Sequence, residues 1–502
     1  MGTLAKQTIQ NTVLTYTGLF LGFLNIAILY PRILPDDQFG LTRLLVSIAT
    51  IAGAFAQFGL DNTIVRYFPY FRDPSRRHGG LLTLALAIGF GGSLLAMACV
   101  GLFHGMFTAV FADGNNLYGA YGLFALPLIL SEVFFLILRA YSRSLGRSVL
   151  PTLLREVVLR LLQTLLIVLH WKFGLSFGSF MVLFTSLFLV CTAAMFFVLQ
   201  ATGDLTWRPQ WVRSRKRLLR SMAVFGSYTM ATSMASVVLG SIDQIMIGAL
   251  LGTLALKHVA YYSVAYFFGS VISAPARALS QPALPILAQA WKRKDLSLIQ
   301  LVYTRSASTS FAIGAFLFLV VCLSLADLFT FLPAGYSVAY RVVIIISGAN
   351  LLNLAVGING GIITMSKGFR FDGFSSALVL ACTVVFDWFF IRLWGIEGAA
   401  WSTLASFAVV IAVKVGYLYQ RYGLQPFESR MAMVAAIAVA VGALVYWMPL
   451  QLDLFVYGPV NSFTVIILRS VVITVLFWPC VLGLRLVPDL NALVHKYLPG
   501  KR

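Results

Sequence analysis

The chain has 502 residues, of which 60% are apolar and 11% are charged, and its formal net charge is +20. A soluble domain carries about 25% charged residues, so this composition excludes a water-soluble globular protein. The basic residues are spread over short loops and form no continuous stripe, which excludes a nucleic-acid-binding protein and favours contact with anionic membrane lipids.

Fourteen apolar segments are long enough to span a membrane, which takes roughly 18 to 20 residues. They leave little chain for a soluble module, so the sequence predicts an all-α polytopic membrane protein with about 14 transmembrane helices. The segments are approximately 13–30, 40–61, 81–103, 117–138, 153–170, 175–199, 223–250, 259–280, 305–326, 341–364, 374–393, 396–419, 431–449 and 462–484.

The connections between these segments alternate between rich and poor in basic residues. Residues 66–80 contain four arginines, whereas residues 104–116 contain neither lysine nor arginine. When the connections are assigned alternately to two sides, 29 of the 37 basic residues lie on one side and five on the other. Because basic loops stay in the cytoplasm, we expect both termini to be cytoplasmic.

The two halves of the sequence resemble each other at an offset of about 220 residues. The segment FGLSFGSFM (173–181) loosely matches WGIEGAAWS (394–402), and a second match begins at Phe39 and Val259. Parallel repeats of this kind are a transporter architecture with the site between the halves. The predicted organisation is a six-helix bundle (1–200), a cytoplasmic linker (201–222), a second six-helix bundle (223–420), and two additional helices with a tail (421–502).

Three stretches carry a family resemblance. YPRILPDDQFGLTRLLVSIATIAGAFAQFGLDNTIVRYFPYF (30–71) resembles the N-terminal signature of bacterial polysaccharide flippases, and residues 241–252 with 261–291 resemble their second-half signature. WGIEGAAWST (394–403) is similar to a motif shared across the multidrug, oligosaccharidyl-lipid and polysaccharide exporter superfamily.

The resemblance implies two six-helix bundles around a central cavity, two extra C-terminal helices and alternating access. Family members reside in the bacterial inner membrane. They move polyprenyl-diphosphate-linked oligosaccharides from the cytoplasmic to the periplasmic leaflet for O-antigen or exopolysaccharide assembly, and basic cavity residues are expected to meet the diphosphate. The implied partners are this lipid-linked oligosaccharide, membrane lipids and a polysaccharide polymerase or glycosyltransferase.

Three arginines are candidate diphosphate ligands. Arg43 and Arg277 lie inside apolar segments, where a charge costs about 2.5–3.5 kcal/mol unless it faces a cavity or a partner. The arginine fork binds phosphate bidentately and stays charged in a poorly hydrated site. The alternative is that each side chain extends to the nearer membrane surface, and Arg66 either anchors the chain at that surface or reaches the cavity mouth.

Other polar residues in the apolar segments have two interpretations each. Glu132, Asp243 and Asp387 either bind coupling protons or cations, or pair with arginines and backbone groups. A second set either contacts sugar hydroxyls or joins neighbouring helices, at about 0.6 kcal/mol per contact. Its members are Asn25, Gln57, Asn350 and Asn353.

Enzymatic motifs are missing from the sequence. It lacks the phosphate-binding G-x-x-x-x-G-K-[ST] and zinc-binding H-E-x-x-H patterns, and its five cysteines all lie in apolar segments without a C-x-x-C pair. We therefore predict no catalytic residue, metal or cofactor. The alternatives to a flippase are a cation-coupled multidrug antiporter of the same superfamily and a membrane polysaccharide polymerase or ligase.

Overall fold

The structure is a computed structural model that describes residues 2–71, 80–111, 116–203, 216–238, 240–366, 368–448 and 458–491. Within these ranges the chain forms helices and short turns, and no β-strand occurs in them. The predicted all-α class is therefore confirmed.

The chain divides into two compact units, Met1–Ser263 and Val264–Arg502. The helices that begin in the first unit are α1 (Gly2–Phe23), α2 (Tyr30–Ile33), α3 (Asp36–Ala56), α4 (Leu60–Phe71), α5 (Leu81–Leu102), α6 (His104–Val110), α7 (Leu117–Tyr121), α8 (Ala125–Ser144), α9 (Val149–Thr152), α10 (Leu159–Phe173), α11 (Phe177–Ala201), α12 (Lys216–Val238), α13 (Ile242–Leu250) and α14 (Ala255–Ser270). Two π-helical segments, Leu24–Leu29 and Leu153–Val158, join α1 to α2 and α9 to α10.

The second unit contains α15 (Ala274–Arg293), α16 (Leu296–Leu323), α17 (Leu325–Phe329), α18 (Tyr340–Ala355), α19 (Asn359–Met365), α20 (Phe369–Tyr422), α21 (Ser429–Trp447) and α22 (Gly458–Gly483). The boundary between the two units falls inside α14. The residue limits that the sequence predicts for two six-helix bundles remain a prediction.

Ten helices among the described residues are long and apolar enough to cross a membrane. All fourteen predicted segments fall on helical structure, and the difference in number has two causes. The segments 374–393 and 396–419 follow each other directly across a kink at Gly395 and are counted together. The segments predicted at 153–170, 223–250 and 259–280 do not qualify, the first because it contains the charged residues Arg155, Glu156 and Arg160.

Glycines mark two interruptions of the helices. Inside α20, Gly395 has φ 58° and ψ −134° and separates the two predicted segments at the expected place. The segment predicted as one helix over 341–364 is instead broken between α18 and α19, so that prediction is wrong in detail. Gly357 takes φ +55° at the break, a conformation that glycine adopts without the penalty of a Cβ.

The core of the first unit is built around α8. This helix packs against α3, α4, α5 and α11, and it buries the side chains of Val133, Phe135 and Ile137 almost completely. Its Tyr141 ring meets Phe68 of α4 edge to face, with the ring centroids 5.6 Å apart. Because most residues of α8 are buried, the polar Glu132 within it requires a partner.

The second unit has two apolar clusters. One joins α16, α21 and α22 through residues that include Ala312, Val434 and Phe477, and the other joins α15, α16, α19 and α20. Arg469 of α22 pairs with Asp327 of α17 at 2.6 Å and thereby ties the last described helix to the unit. Asp295 caps α16, and hydrogen bonds from the Ser297 hydroxyl and the Leu298 N–H lower the pKa of its carboxyl group.

A close helix contact in the first unit gives a first prediction. A Cβ at Gly40 of α3 would lie 1.7 Å from the backbone oxygen of Leu256 in α14, so the helices must separate to admit any side chain. We expect Gly40→Ala to lower the free energy of unfolding by about 1–3 kcal/mol, measured by thermal unfolding of the purified protein in detergent.

The matched control is Gly91→Ala in α5, where an added Cβ would meet open space. This change removes a helix-destabilising glycine and is expected to leave the unfolding temperature unchanged or raise it. Equal unfolding temperatures for the two variants would contradict the close contact at Gly40.

Candidate functional site

The first unit contains a partly open polar cavity of about 170 Å³. Its walls come from the π-helical segments and from α1, α3, α10 and α11. The lining residues are Gly22, Asn25, Ile26, Arg43, Val46, Arg155, Glu156, Leu159, Arg160, Gln163, Phe184 and Phe188. This volume is below the roughly 300–1,000 Å³ of a pocket for a whole drug-sized ligand, so the cavity accepts a small polar group.

The cavity lies near the middle of the helices that form it. Arg43 is the eighth residue of α3, about 10 Å from the start of that helix at 1.5 Å per residue. Arg160 is about equally distant from the two ends of the helical stretch 149–173. Charged side chains at this depth are expensive in a membrane, and they mark a functional site by default.

Arg43 is the cavity cation without a counterion. Among the described residues no carboxylate lies within ion-pairing distance of it, and its buried Nε atom finds no hydrogen-bond acceptor. An arginine that stays charged in such a place attracts an anion, because the attraction is screened less there than in water. The role of Arg43 as a diphosphate ligand remains a prediction.

Arg155 is held by a carboxylate from another helix. Its Nη2 atom lies 2.5 Å from Oε2 of Glu132 on α8, and its guanidinium carbon lies 5.3 Å and 5.4 Å from the ring centroids of Phe135 and Phe188. Glu132 thus has the arginine partner that was one of its two predicted interpretations. A buried carboxylate of this kind is stabilised by its counterion and is costly without it.

Arg160 links the helices on two sides of the cavity. Its Nη2 atom lies 2.8 Å from Oε2 of Glu156, one helical turn before it, and its Nη1 donates a hydrogen bond to the backbone oxygen of Gly18 on α1. In the opposite direction, Nδ2 of Asn25 donates to the backbone oxygen of Arg160 at 2.9 Å. Asn25 also accepts a hydrogen bond from the Thr164 hydroxyl at 2.7 Å.

After the two arginine–glutamate ion pairs are counted, the cavity keeps one net positive charge. Three arginines line it, and two carboxylates, Glu132 and Glu156, neutralise Arg155 and Arg160. The remaining charge belongs to Arg43. The arrangement can therefore bind an anion at Arg43, with two further arginines whose present partners are side chains of the protein itself.

The other predicted phosphate ligands do not meet at this cavity. Arg66 is exposed, and its guanidinium carbon lies 4.2 Å from the centroid of the Phe225 ring. The side chain of Arg277 lies outside the described residues. Gln57, a predicted sugar contact, is buried at the end of α3, where its Oε1 atom has no hydrogen-bond donor among the described residues.

The predicted acids and amides of the later helices have local surroundings of their own. Asp243 is fully buried and accepts a hydrogen bond from the hydroxyl of Tyr262, and Asp387 is fully buried in α20. Asn350 donates hydrogen bonds to the backbone oxygens of Gly269 at 3.2 Å and Ile346 at 3.0 Å, whereas Asn353 is exposed. Asn350 thus joins neighbouring helices in this structure, and its role as a sugar contact remains a prediction.

The candidates predicted from the sequence do not include Arg155, Glu156 and Arg160, because both arginines lie near the start of the segment 153–170 and are counted with the preceding basic connection. A usable signal was present: Glu156, Arg160 and Gln163 follow i, i+4, i+7 spacing and so share one face of an otherwise apolar helix. The same counting missed the ion pair in the second unit between Lys414 and Asp372, whose charged atoms are 3.1 Å apart.

Comparison with known proteins identifies the family. Residues 4–291 match the family model described as polysaccharide biosynthesis protein. No curated protein matches the chain in sequence.

Solved structures share the fold. The lipid II flippase MurJ, in an inward closed conformation, aligns with a TM-score of 0.68 and 12% identity over 94% of this chain and 99% of that one. The MATE transporter VcmN of Vibrio cholerae aligns with a TM-score of 0.56 and 16% identity over 84% of this chain and 99% of that one. A multidrug resistance MATE family transporter in an inward-facing conformation gives a TM-score of 0.56 and 13% identity over 85% and 96%.

At these identities the structural likeness establishes the fold, and the apolar helices make the protein a multi-pass membrane protein. Because the family model covers more than half of the sequence, the chain belongs to the polysaccharide biosynthesis protein family.

Proposed function

We propose that the protein is a flippase for a polyprenyl-diphosphate-linked oligosaccharide. It moves this lipid from the cytoplasmic to the periplasmic leaflet of a bacterial inner membrane by alternating access, for the assembly of O-antigen or exopolysaccharide. Both termini are cytoplasmic in this proposal, and the chain has no enzymatic activity of its own. A polysaccharide polymerase and glycosyltransferases are the proposed protein partners.

The observation that carries the proposal is the uncompensated charge of Arg43 in a cavity at mid-helix depth. A lipid diphosphate must bring its negative charge through the apolar interior of the bilayer, and it needs a cation there. A drug or cation antiporter needs the opposite charge, since its substrates are cationic. In this cavity the positive charges outnumber the negative ones, which favours an anionic substrate.

The remaining predicted residues take roles in the same proposal. Arg277 and Arg66 are further diphosphate contacts, and Asn25, Gln57, Asn350 and Asn353 are contacts for the sugar. Of these, Asn25 lies on the wall of the described cavity. Glu132, Asp243 and Asp387 are the proposed coupling or counterion residues, and for Glu132 the short pair with Arg155 supports the counterion role.

The proposal is tested in a strain that lacks this gene. We expect surface polysaccharide to disappear and a polyprenyl-diphosphate-linked saccharide to accumulate, facing the cytoplasm. The accumulated lipid is identified by mass spectrometry, and its orientation is measured by labelling with a membrane-impermeant reagent in spheroplasts and in inverted vesicles.

A plasmid copy of the gene is the control, and it should restore export and clear the accumulated lipid. Unchanged surface polysaccharide, together with increased sensitivity to cationic drugs, would contradict the flippase and favour the antiporter. Accumulation of the lipid on the periplasmic side would contradict translocation and favour a polymerase or ligase.

A further inference from the structure

The arginines of the cavity differ in how firmly they are held. Arg155 is enclosed by Glu132 and by two phenylalanine rings. Arg160 instead pairs with Glu156, whose side chain lines the cavity and is 30% exposed, compared with 11% for Glu132. Arg155 is thus fixed by its surroundings, Arg160 has a partner that can be exchanged, and Arg43 has no carboxylate partner among the described residues.

Both π-helical segments of the described chain border this cavity. Leu24–Leu29 contributes Asn25 and Ile26 to the lining, and Leu153–Val158 contributes Arg155 and Glu156. Helical turns of this kind occur mostly as single turns and frequently at functional sites. The wider turn lets the consecutive residues Arg155 and Glu156 both face the cavity, which an α-helical turn would direct further apart.

We propose that the cavity is a binding site for a single oxyanion, with Arg43 and Arg160 as its ligands, and that the arriving oxyanion displaces Glu156 from Arg160. This inference rests on the proposed function, because in the cell the oxyanion is a phosphate group of the lipid-linked substrate. It adds Arg160 as a ligand and gives Glu156 the role of a competitor that occupies the arginine while the site is empty.

Charge and volume support this exchange. A phosphate bound at Arg43 repels the Glu156 carboxylate across the same cavity, whereas Arg160 attracts both anions and has enough donors to keep its hydrogen bond to Gly18. The volume of about 170 Å³ suits one phosphate group with a few waters rather than a chain of sugars. The cavity therefore binds the phosphate group and has no room for a chain of sugars.

The exchange is tested by anion binding to the purified full-length protein in nanodiscs of neutral lipid. The probe is inorganic pyrophosphate, and its affinity is measured by isothermal titration calorimetry. We expect Arg43→Ala and Arg160→Ala to weaken binding at least 10-fold, because each removes a ligand. Glu156→Gln is expected to tighten binding several-fold, because no carboxylate then competes for Arg160.

The control is Glu397→Gln, which removes a carboxylate that pairs with the exposed Arg341 at 3.9 Å and is not among the lining residues. It should leave the affinity unchanged. Weaker or equal binding by Glu156→Gln overturns the exchange. Should that variant not fold, Glu156→Asp shortens the reach to Arg160, and it must tighten binding in the same direction for the inference to stand.

Changing the lipid of the nanodisc distinguishes a substrate phosphate from a membrane headgroup as the source of the oxyanion. If pyrophosphate binds more weakly in nanodiscs of anionic phosphatidylglycerol than in nanodiscs of neutral lipid, the lipid headgroup competes for the site and is a ligand as well. Tight pyrophosphate binding with normal surface polysaccharide in the deletion strain supports the site and overturns the proposed function. If the deletion strain loses export but Glu156→Gln binds pyrophosphate with unaltered affinity, the proposed function stands and the exchange is overturned.

Discussion

Replacement of Arg43 by alanine is expected to reduce export of surface polysaccharide about 10- to 100-fold while the protein still accumulates in the membrane. The change removes the one cavity charge without a counterion among the described residues. A hydrogen bond to a charged group contributes about 1.5–3 kcal/mol, and this loss corresponds to the expected decrease. Export is measured as surface polysaccharide in a deletion strain that carries the variant gene.

Three further variants test whether the loss of export is specific to the guanidinium group of Arg43. Arg43→Lys keeps the charge but loses the planar fork, so it should give intermediate export. Arg341→Ala removes an exposed arginine and should export normally. Arg66→Ala removes a further proposed diphosphate contact that stacks on Phe225 outside the described cavity lining, and we expect a smaller loss than for Arg43→Ala. Normal export by Arg43→Ala would remove the proposed diphosphate contact.

The helices could be predicted because length and apolarity alone decide whether a segment can cross a bilayer. The interruption at Gly395 could also be placed, since it falls in the glycine-containing junction between two apolar segments. The break at Gly357 was missed, because the surrounding residues are as apolar as the helices on either side. A left-handed turn in an apolar run has no signature in hydropathy.

The candidate site could be predicted only in part. Arg43 could be found because it stands alone in an apolar segment. Arg160 was assigned to the nearer loop because its helix was expected to begin at residue 153, whereas helical structure already begins at Val149. The earlier start places Arg160 more than one turn deeper than expected.

Partner choice could not be predicted at all. Glu132 and Arg155 lie on different helices, and nothing in their own neighbourhoods identifies one as the partner of the other. The same holds for Lys414 with Asp372 and for Arg469 with Asp327. A single sequence shows that each charge in an apolar segment needs a partner, but it does not show which opposite charge is that partner.

Removal of the fixed arginine should be the most destabilising single change at the cavity. Arg155→Ala leaves Glu132 buried without its 2.5 Å partner; breaking a fully buried pair costs about 3–5 kcal/mol, and the partial exposure of Arg155 places the expected loss at the lower end of this range. Arg341→Ala breaks an exposed pair and should cost less than about 1 kcal/mol. Both are compared by chemical unfolding of the purified protein in detergent.

The double variant Glu132→Gln with Arg155→Met identifies the cause of that loss. It removes both charges and keeps an unbranched side chain near Phe135 and Phe188, so most of the stability lost in Arg155→Ala should return. Recovery means that the single change acts by stranding the Glu132 carboxylate, since a buried ion pair replaced as a whole is tolerated far better than one that is broken. If the double variant is as unstable as Arg155→Ala, the guanidinium itself supports the helices, and Glu132 then regains its alternative interpretation as a coupling carboxylate.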